Sequence, residues 1–540
     1  MMNLLSIPLP DALFPLALVM AGPLWLIAFL FIPDGFANRD GRRFAGFASW
    51  SAIGVLLLAV LAMAGRVGSG PLVVEVTGAG PVGIDIYFDT LSAIMLLLVS
   101  FLGAVVLRYS VNYLAGDPQQ GRFIKWLGVT IGSVLALIIS GNLLMFTVAW
   151  VATSMSLHKL LMFYPDRPAA LLAARKKFLI SRLGDACLVA ALIVTWQVFG
   201  TWEFTGMFAA ADAIRAAGGA ASAGLGWPAG LLVAGALLKS AQFPFHSWLP
   251  DTMETPTPVS ALMHAGIINA GGFLLVRLSP IIAGSPGALN VLALTGAFTA
   301  LFASMIMLTQ TSVKRSLAYS TIAQMGFMML QCGLGAFALA VLHIVAHSLY
   351  KAHAFLSSGS VVAMSGASWV PSERPGAHPL ILAGTLVAAV GITGVIGALF
   401  GLSLESGAGV LLLGAVFMMA LAYLLWNLWA SSHRASLIGW GLLGGTGAAT
   451  AYFALHAIFH KWLASSLVTY NPVRSPLEYG VMSLVILLFM AVLILQSQLP
   501  GWSATRLGRS VYVHASQGFY LGTLANRLTM AIYPKTTAGK

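Results

Sequence analysis

Residues 229–251 read AGLLVAGALLKSAQFPFHSWLPD, and the reading of this stretch decides the fold. An uncharged apolar run leads into Lys239, and Pro244 and Pro250 follow, with Asp251, Pro256 and Pro258 just beyond. Proline removes a backbone donor and clashes with the preceding turn. The segment therefore predicts an apolar helix interrupted beside a lysine. Freed carbonyls and helix ends lining a cavity are what a broken-helix ion site uses. The plainer alternative is a kink and a tight turn between two helices.

Apolar runs like the first half of this stretch recur along nearly the whole chain. Of 540 residues, 59% are hydrophobic and 8% are charged, against roughly 25% charged in an ordinary soluble domain. A soluble chain of this length could not cover its surface with so few charges. About fifteen runs approach the ~20 apolar residues needed to span a bilayer, among them 177–198, 229–247, 335–363 and 379–405. The chain reads as an all-α polytopic membrane protein with no soluble catalytic domain. Its first run, Leu13 to Ile32, lacks a basic flank and a small-residue cleavage site, so it reads as a first span and not a signal peptide. Cys187 and Cys332 both fall in apolar runs, which argues against a disulfide framework or a zinc cluster.

The formal net charge is +12. These cations sit mainly in loops, and topology explains them better than nucleic acid does. Most of the 28 Lys and Arg fall on the side that also holds the C-terminal tail. The positive-inside bias then places the C-terminus in the cytoplasm and the N-terminus outside. The tail from Arg506 reads as basic and partly amphipathic. Two readings of it stand: a docking element for a partner, or a surface helix on anionic lipid.

The chemistry lies in the charges that a membrane should exclude. Asp185, Lys239, His264, His343, His347 and Lys351 sit in or near the middle of apolar runs. An ionised side chain at mid-bilayer costs at least about 2.5–3.5 kcal/mol, so such groups face a bundle interior and mark a pathway. His343, His347 and Lys351 recur every fourth residue, which lines them along one helix face. One such histidine alone reads as a satisfied group joining helices; six ionisable groups together point to an H+ or Na+ path. A zinc pair on His343 and His347 lacks the glutamate of the H-E-x-x-H pattern, and no G-x-x-x-x-G-K-[ST] loop is present. The residues thus name no metal ligand and no bound cofactor for this chain.

Longer motifs carry a resemblance. Lys239–Ser240–Ala241–Gln242, Trp248–Leu249–Pro250–Asp251 and the run Pro256 to Ala265 resemble the large antiporter-like subunits of respiratory complex I and the Mrp sodium/proton antiporters. Phe88–Asp89–Thr90–Leu91–Ser92, Arg182–Leu183–Gly184–Asp185, Lys314 to Thr321 and the His343/His347/Lys351 helix fit as well. The resemblance covers about 85–405. It implies two inverted five-helix repeats with broken helices, at 123–277 and 289–429. N-terminal transmembrane helices at 1–122 would precede them. C-terminal transmembrane helices at 430–498 and a cytoplasmic tail at 499–540 would follow. It also implies Lys239 and Lys351 as relay lysines, with His264, His343 and His347 between them and Asp185 as a lysine partner.

Two positions depart from that pattern. The family carries a glutamate directly after a tryptophan on the fifth helix, whereas Trp150 here precedes Val151, and His158 and Lys159 follow on the same helix. Ser403–Leu404–Glu405 replaces a Ser-Lys-Asp pattern. His158, Lys159, Arg182 and Glu405 are accordingly weaker relay candidates. The segment Ser156 to Tyr164, a basic loop Arg175–Lys176–Lys177 and the tail around Val513–His514, Phe519–Tyr520 and Leu524 to Leu528 are similar to the DabB branch. DabB proteins are membrane subunits of two-part inorganic-carbon accumulation complexes. That resemblance implies a DabA-like cytoplasmic zinc partner, akin to a β-carbonic anhydrase. Cation flow through the membrane subunit would drive the partner's hydration of CO2 to bicarbonate.

Overall fold

The computed structural model describes residues 9–65, 70–74, 83–218, 223–360, 379–403, 407–431, 435–468, 475–502 and 505–533. Within them the chain folds almost entirely as helices: α1 (Leu9–Ile27), α2 (Gly41–Ala64), α3 (Thr90–Tyr113), α4 (Gln120–Ile139), α5 (Leu143–Leu161), α6 (Pro168–Phe199) and α7 (Phe204–Ala217). Next come α8 (Gly226–Lys239), α9 (Thr257–Ala265), α10 (Ala270–Arg277), α11 (Pro286–Met307), α12 (Val313–Gly333) and α13 (Phe337–Leu356). The chain continues through α14 (Pro379–Leu399), α15 (Ala408–Ser431), α16 (Ala435–Leu463), α17 (Pro476–Trp502), α18 (Arg506–Ser516) and α19 (Leu521–Ile532).

Thirteen helices among the described residues are long and apolar enough to cross a membrane. With α8 and α12 they match the expected apolar runs one for one. Helix is the natural state of these runs because lipid offers backbone groups no partner. The differences from expectation lie at helix ends. The run 177–198 belongs to a longer helix that begins at Pro168, so Arg175, Lys176 and Lys177 are helical and not a loop. Pro at N1 explains that early start. The run 229–247 stops as a helix at Lys239, 335–363 stops at Leu356, and 379–405 stops at Leu399. Residues 499–502 continue α17 and do not open the tail.

The 257–277 segment is buried throughout, whereas 380–399 and 438–463 turn most of their surface outward. The bundle is thus centred on α9 and α10. Close approach of α11 and α12 depends on glycine: a Cβ on Gly296 would strike the Leu330 backbone, and one on Gly326 would strike that of Ala300. Small residues at such crossings let helix backbones meet.

The break after Lys239 begins inside the protein, with Ser240, Ala241 and Gln242 buried, and reaches the surface at Pro244 and Phe245. Ser240 Oγ donates to the Ile268 carbonyl at 2.8 Å, and Gln242 Nε2 donates to the Ser240 carbonyl at 2.8 Å. The Phe243 amide donates to Thr299 Oγ1 at 3.2 Å. Ala241 holds a left-handed φ of +50°, a conformation that persists in a non-glycine residue only when its surroundings impose it.

A short hairpin pairs β1 (Leu72–Val74) antiparallel with β2 (Ile86–Phe88), Leu72 opposite Phe88. Asp89 directly follows it. Its carboxylate caps α3 by accepting from the Ser92 amide at 2.9 Å. It also accepts two hydrogen bonds from Arg277, from Nη1 at 2.8 Å and Nη2 at 2.9 Å. Both residues are buried, so this bidentate pair fastens the end of α10 to the start of α3. Removing one partner of such a pair leaves an uncompensated buried charge and costs about 3–5 kcal/mol. Arg277→Gln is expected to lower the thermal unfolding midpoint of the detergent-solubilised protein sharply. The double variant Asp89→Asn/Arg277→Gln should lose less than the single one, as a double-mutant cycle would register.

Candidate functional site

Two polar stripes face each other in the first half of the bundle. Trp150, Ser154 and His158 recur every fourth residue along α5, and Lys177, Ser181 and Asp185 do so along α6. Lys239, at the end of α8 and 7% exposed, places Nζ 4.4 Å from the centre of the Trp150 ring, a cation–π contact. Arg182 Nη2 lies 2.6 Å from Asp185 Oδ2 as an ion pair, at an angle that makes no hydrogen bond. The His158 ring stands 5.0 Å from that of Phe178, on the α6 side. Lys159 turns the other way. It is exposed, with Nζ 5.9 Å from the Trp126 ring, so it does not join the cluster. Val151 is half-buried beside Trp150 and adds no polar atom.

At the centre, His264 is 0% exposed. Its Nδ1 shares a 3.0 Å hydrogen bond with Thr321 Oγ1, and its ring stacks on Phe355 with centroids 4.3 Å apart. Just after it the helix is interrupted between α9 and α10. There Asn269 Nδ2 donates to Ser348 Oγ at 2.8 Å, tying the interruption to α13.

Along α13, His343 and His347 stack with ring centres 6.0 Å apart. Lys351 is 0% exposed, and its Nζ donates to Ser320 Oγ at 2.7 Å and to the Leu317 carbonyl at 3.3 Å. His264 and His347 lie within electrostatic reach of Lys351 and of each other. Buried nitrogens of Lys239, His264, His343 and His347 have no hydrogen-bond partner among the described residues. Water ordinarily completes such groups, and titratable groups joined through hydroxyls and water can pass a proton.

The structure thus gathers Asp185, Arg182, Lys239 and His158 in one cluster and His264, His343, His347 and Lys351 in another. The break around Ser240 to Phe245 and residues Ile268–Asn269 lie between them. Glu405 lies outside the described residues. Among those residues, no three His, Cys, Asp or Glu side chains gather as metal ligands.

Sequence reasoning missed three participants. Lys177 sits 3% exposed in α6 and donates to Ser154 at both its carbonyl (3.0 Å) and its Oγ (2.9 Å). Its signal was the helical spacing to Asp185, two turns on. Lys176 contacts the Asp251 carboxylate and donates to Asn526 Oδ1 at 2.6 Å. Asn526 belongs to α19, so the tail folds back over this end of the bundle. Phe519 packs 5.6 Å from Phe302, Gln310 Nε2 donates to the Ser516 carbonyl at 3.2 Å, and Arg175 lies 5.2 Å from the Tyr533 ring. No sequence signal marked those long-range pairings.

Comparison with known proteins gives this geometry a family. The description "NADH:quinone oxidoreductase/Mrp antiporter, TM" matches residues 140–433, and "NADH-Ubiquinone oxidoreductase (complex I), chain 5 N-terminus" matches residues 76–124. The protein called "Probable inorganic carbon transporter subunit DabB2" in Halothiobacillus neapolitanus is 40% identical over 514 residues, 92% of this chain and 90% of its own length. The chain belongs to the NADH:quinone oxidoreductase/Mrp antiporter family, in its DabB branch. A "Probable inorganic carbon transporter subunit DabB" of Hydrogenovibrio crunogenus is 46% identical over 276 residues, 51% of this chain and 52% of that protein. The fold itself recurs in the Mrp complex from Dietzia sp. DQ12-45-1b, with a TM-score of 0.60 and 22% identity. That match covers 98% of this chain and 60% of the other. This DabB-branch chain is therefore a membrane antiporter-like subunit, and its relatives are parts of multi-subunit complexes.

The tail contact yields a direct test. Lys176→Ala should free α18 and α19 from the bundle, so that limited proteolysis removes the tail at protease levels the parent protein withstands. Lys176→Arg, which keeps both partners in reach, should stay resistant.

Proposed function

We propose that this chain translocates a cation, H+ or Na+, and couples its gradient to a DabA-like cytoplasmic zinc partner that hydrates CO2 to bicarbonate. The observation that carries this reading is the likeness to a DabB2 protein along 92% of the chain. The two buried clusters supply the conduit. Lys239 and Lys351 act as the principal relay groups, His264, His343 and His347 connect them, and Asp185 is the carboxylate partner of Lys239. On the expected repeats, 123–277 would hold Asp185, Lys239 and His264, and 289–429 would hold His343, His347 and Lys351. The chain lies in the bacterial inner (plasma) membrane, with its N-terminus outside and its C-terminus in the cytoplasm. The end carrying Lys176, Asp251 and the folded tail then faces the partner. This chain transports and does not catalyse; zinc and hydration chemistry reside in the partner.

The energetics are sufficient. One elementary charge crossing 100 mV is worth about 2.3 kcal/mol, and each tenfold accumulation costs about 1.4 kcal/mol. One proton at roughly 150 mV can sustain accumulation of a few hundredfold.

A second reading rests on the family match and the shared Mrp fold: a subunit of an Mrp-type Na+/H+ antiporter or a complex I-like pump. Purification in mild detergent separates the two. One large soluble partner bringing zinc is expected, and a set of small hydrophobic subunits or flavin and iron–sulfur proteins would replace the first reading with the second. Lys239→Ala and Lys351→Ala should each abolish inorganic-carbon uptake while the complex still assembles. Normal uptake in both variants would sink the proposal.

A further inference from the structure

The first cluster contains a lysine to which nothing above assigns a task. Lys177 lies two turns before Asp185 on the same face of α6, with Ser181 midway between them. All three are buried. Lys177 has no carboxylate of its own, and its hydrogen-bond acceptors are both on Ser154 of α5. Ser154 lies one turn beyond Trp150, whose ring holds Lys239. His158, one further turn along α5, has a buried Nδ1 with no partner among the described residues. Lys177 is next in sequence to Lys176, which contacts Asp251 and Asn526 where the tail covers the bundle. Along the axis of α6, Lys177 therefore sits at the level of the covered end, two turns from Asp185.

Charge bears on what it can carry. Among the described residues, Asp185 is the only carboxylate acting on Lys177 and Lys239, and Arg182 already pairs with it. Titratable groups coupled in this way exchange protons as a set, because protonation of one disfavours protonation of the next. A sodium ion would require several oxygen ligands, and this cluster presents mainly nitrogen cations: Lys177, Lys239 and Arg182, with His158 beside them. Lys159 faces away, towards Trp126.

We propose that Lys177 is a third proton-carrying lysine of this path, passing protons between Lys239 and the end of the bundle that the tail covers, with Ser154 and His158 as its neighbours in the relay. The proton leaves one amine and binds the next through Ser154, Ser181 or intervening water, so no oxidant or co-reactant is required. This inference rests on the ion-path reading above and adds a member to it.

Lysine can release its proton at attainable pH when it is desolvated, whereas arginine keeps its charge. The test uses membrane vesicles holding the intact complex. Gradient-driven carbon uptake and proton movement, followed with a pH-sensitive dye, are measured for Lys177→Gln, Lys177→Arg and Lys177→His. Lys177→Gln and Lys177→Arg are both expected to assemble and to lose transport by about tenfold or more. Lys177→His is expected to recover part of the rate, with its pH profile displaced from that of the parent. Parent-like rates in Lys177→Arg, or in an assembled Lys177→Gln, would overturn the proposal and leave Lys177 as a fixed anchoring charge. Lys239→Ala and Lys351→Ala run in parallel. If those two transport normally, the ion path itself fails; if they are inactive while Lys177→Gln is normal, only the role of Lys177 falls.

Discussion

An α-helix can stop inside a bilayer only where other protein groups, or water held by protein, take up the backbone donors and acceptors it abandons. That constraint governs this bundle. The helix carrying Lys239 can end in mid-protein because Gln242 donates to the freed Ser240 carbonyl and Thr299 accepts from the Phe243 amide, while Ser240 Oγ donates to the Ile268 carbonyl. Ile268 and Thr299 are themselves buried, so the break ties the fully buried 257–277 segment and α11 to the end of α8. It also explains why α9 and α10 are interrupted next to His264, where Asn269 turns its amide to Ser348. The irregular backbone and the titratable side chains occupy the same layer because each needs what the other provides: polar company away from lipid.

The two halves solve the burial of a lysine differently. Lys351 is held by a hydroxyl and a carbonyl from α12, both uncharged. Lys239 rests over an aromatic face and depends on a carboxylate already engaged with Arg182. The position after Trp150, where the wider family places a glutamate, is apolar Val151. With no carboxylate there and Lys177 buried close by, Lys177, Lys239 and Arg182 outnumber the one carboxylate beside them, Asp185. Polar stripes on α5 and α6 share that excess through serines.

Composition and periodicity revealed the apolar runs because a span must be about 20 residues long and free of charge. The spacing of His343, His347 and Lys351 placed them on one face before any coordinates. Three things were not legible. Lys176 and Lys177 read as a loop because consecutive cations in a membrane protein ordinarily mark one; only the packing of α6 against α5, Asp251 and the tail shows them buried. Lys159 looked equivalent to His158, yet adjacent helical residues point about 100° apart, and the register decides which faces inward. The folding back of the tail depends on contacts such as Phe302 with Phe519, and no local pattern encodes partners so far apart in sequence.

The hydrogen bond from Lys176 to Asn526 joins residues 350 positions apart. A ribosome adding roughly 5–20 residues each second delivers Lys176 to the membrane tens of seconds before its partner exists. Throughout that interval the end of the bundle beside Asp251 stands without its cover. The chain is therefore built open and covered late, and the order of synthesis itself keeps this end of the bundle from being closed before the helices behind it are in place.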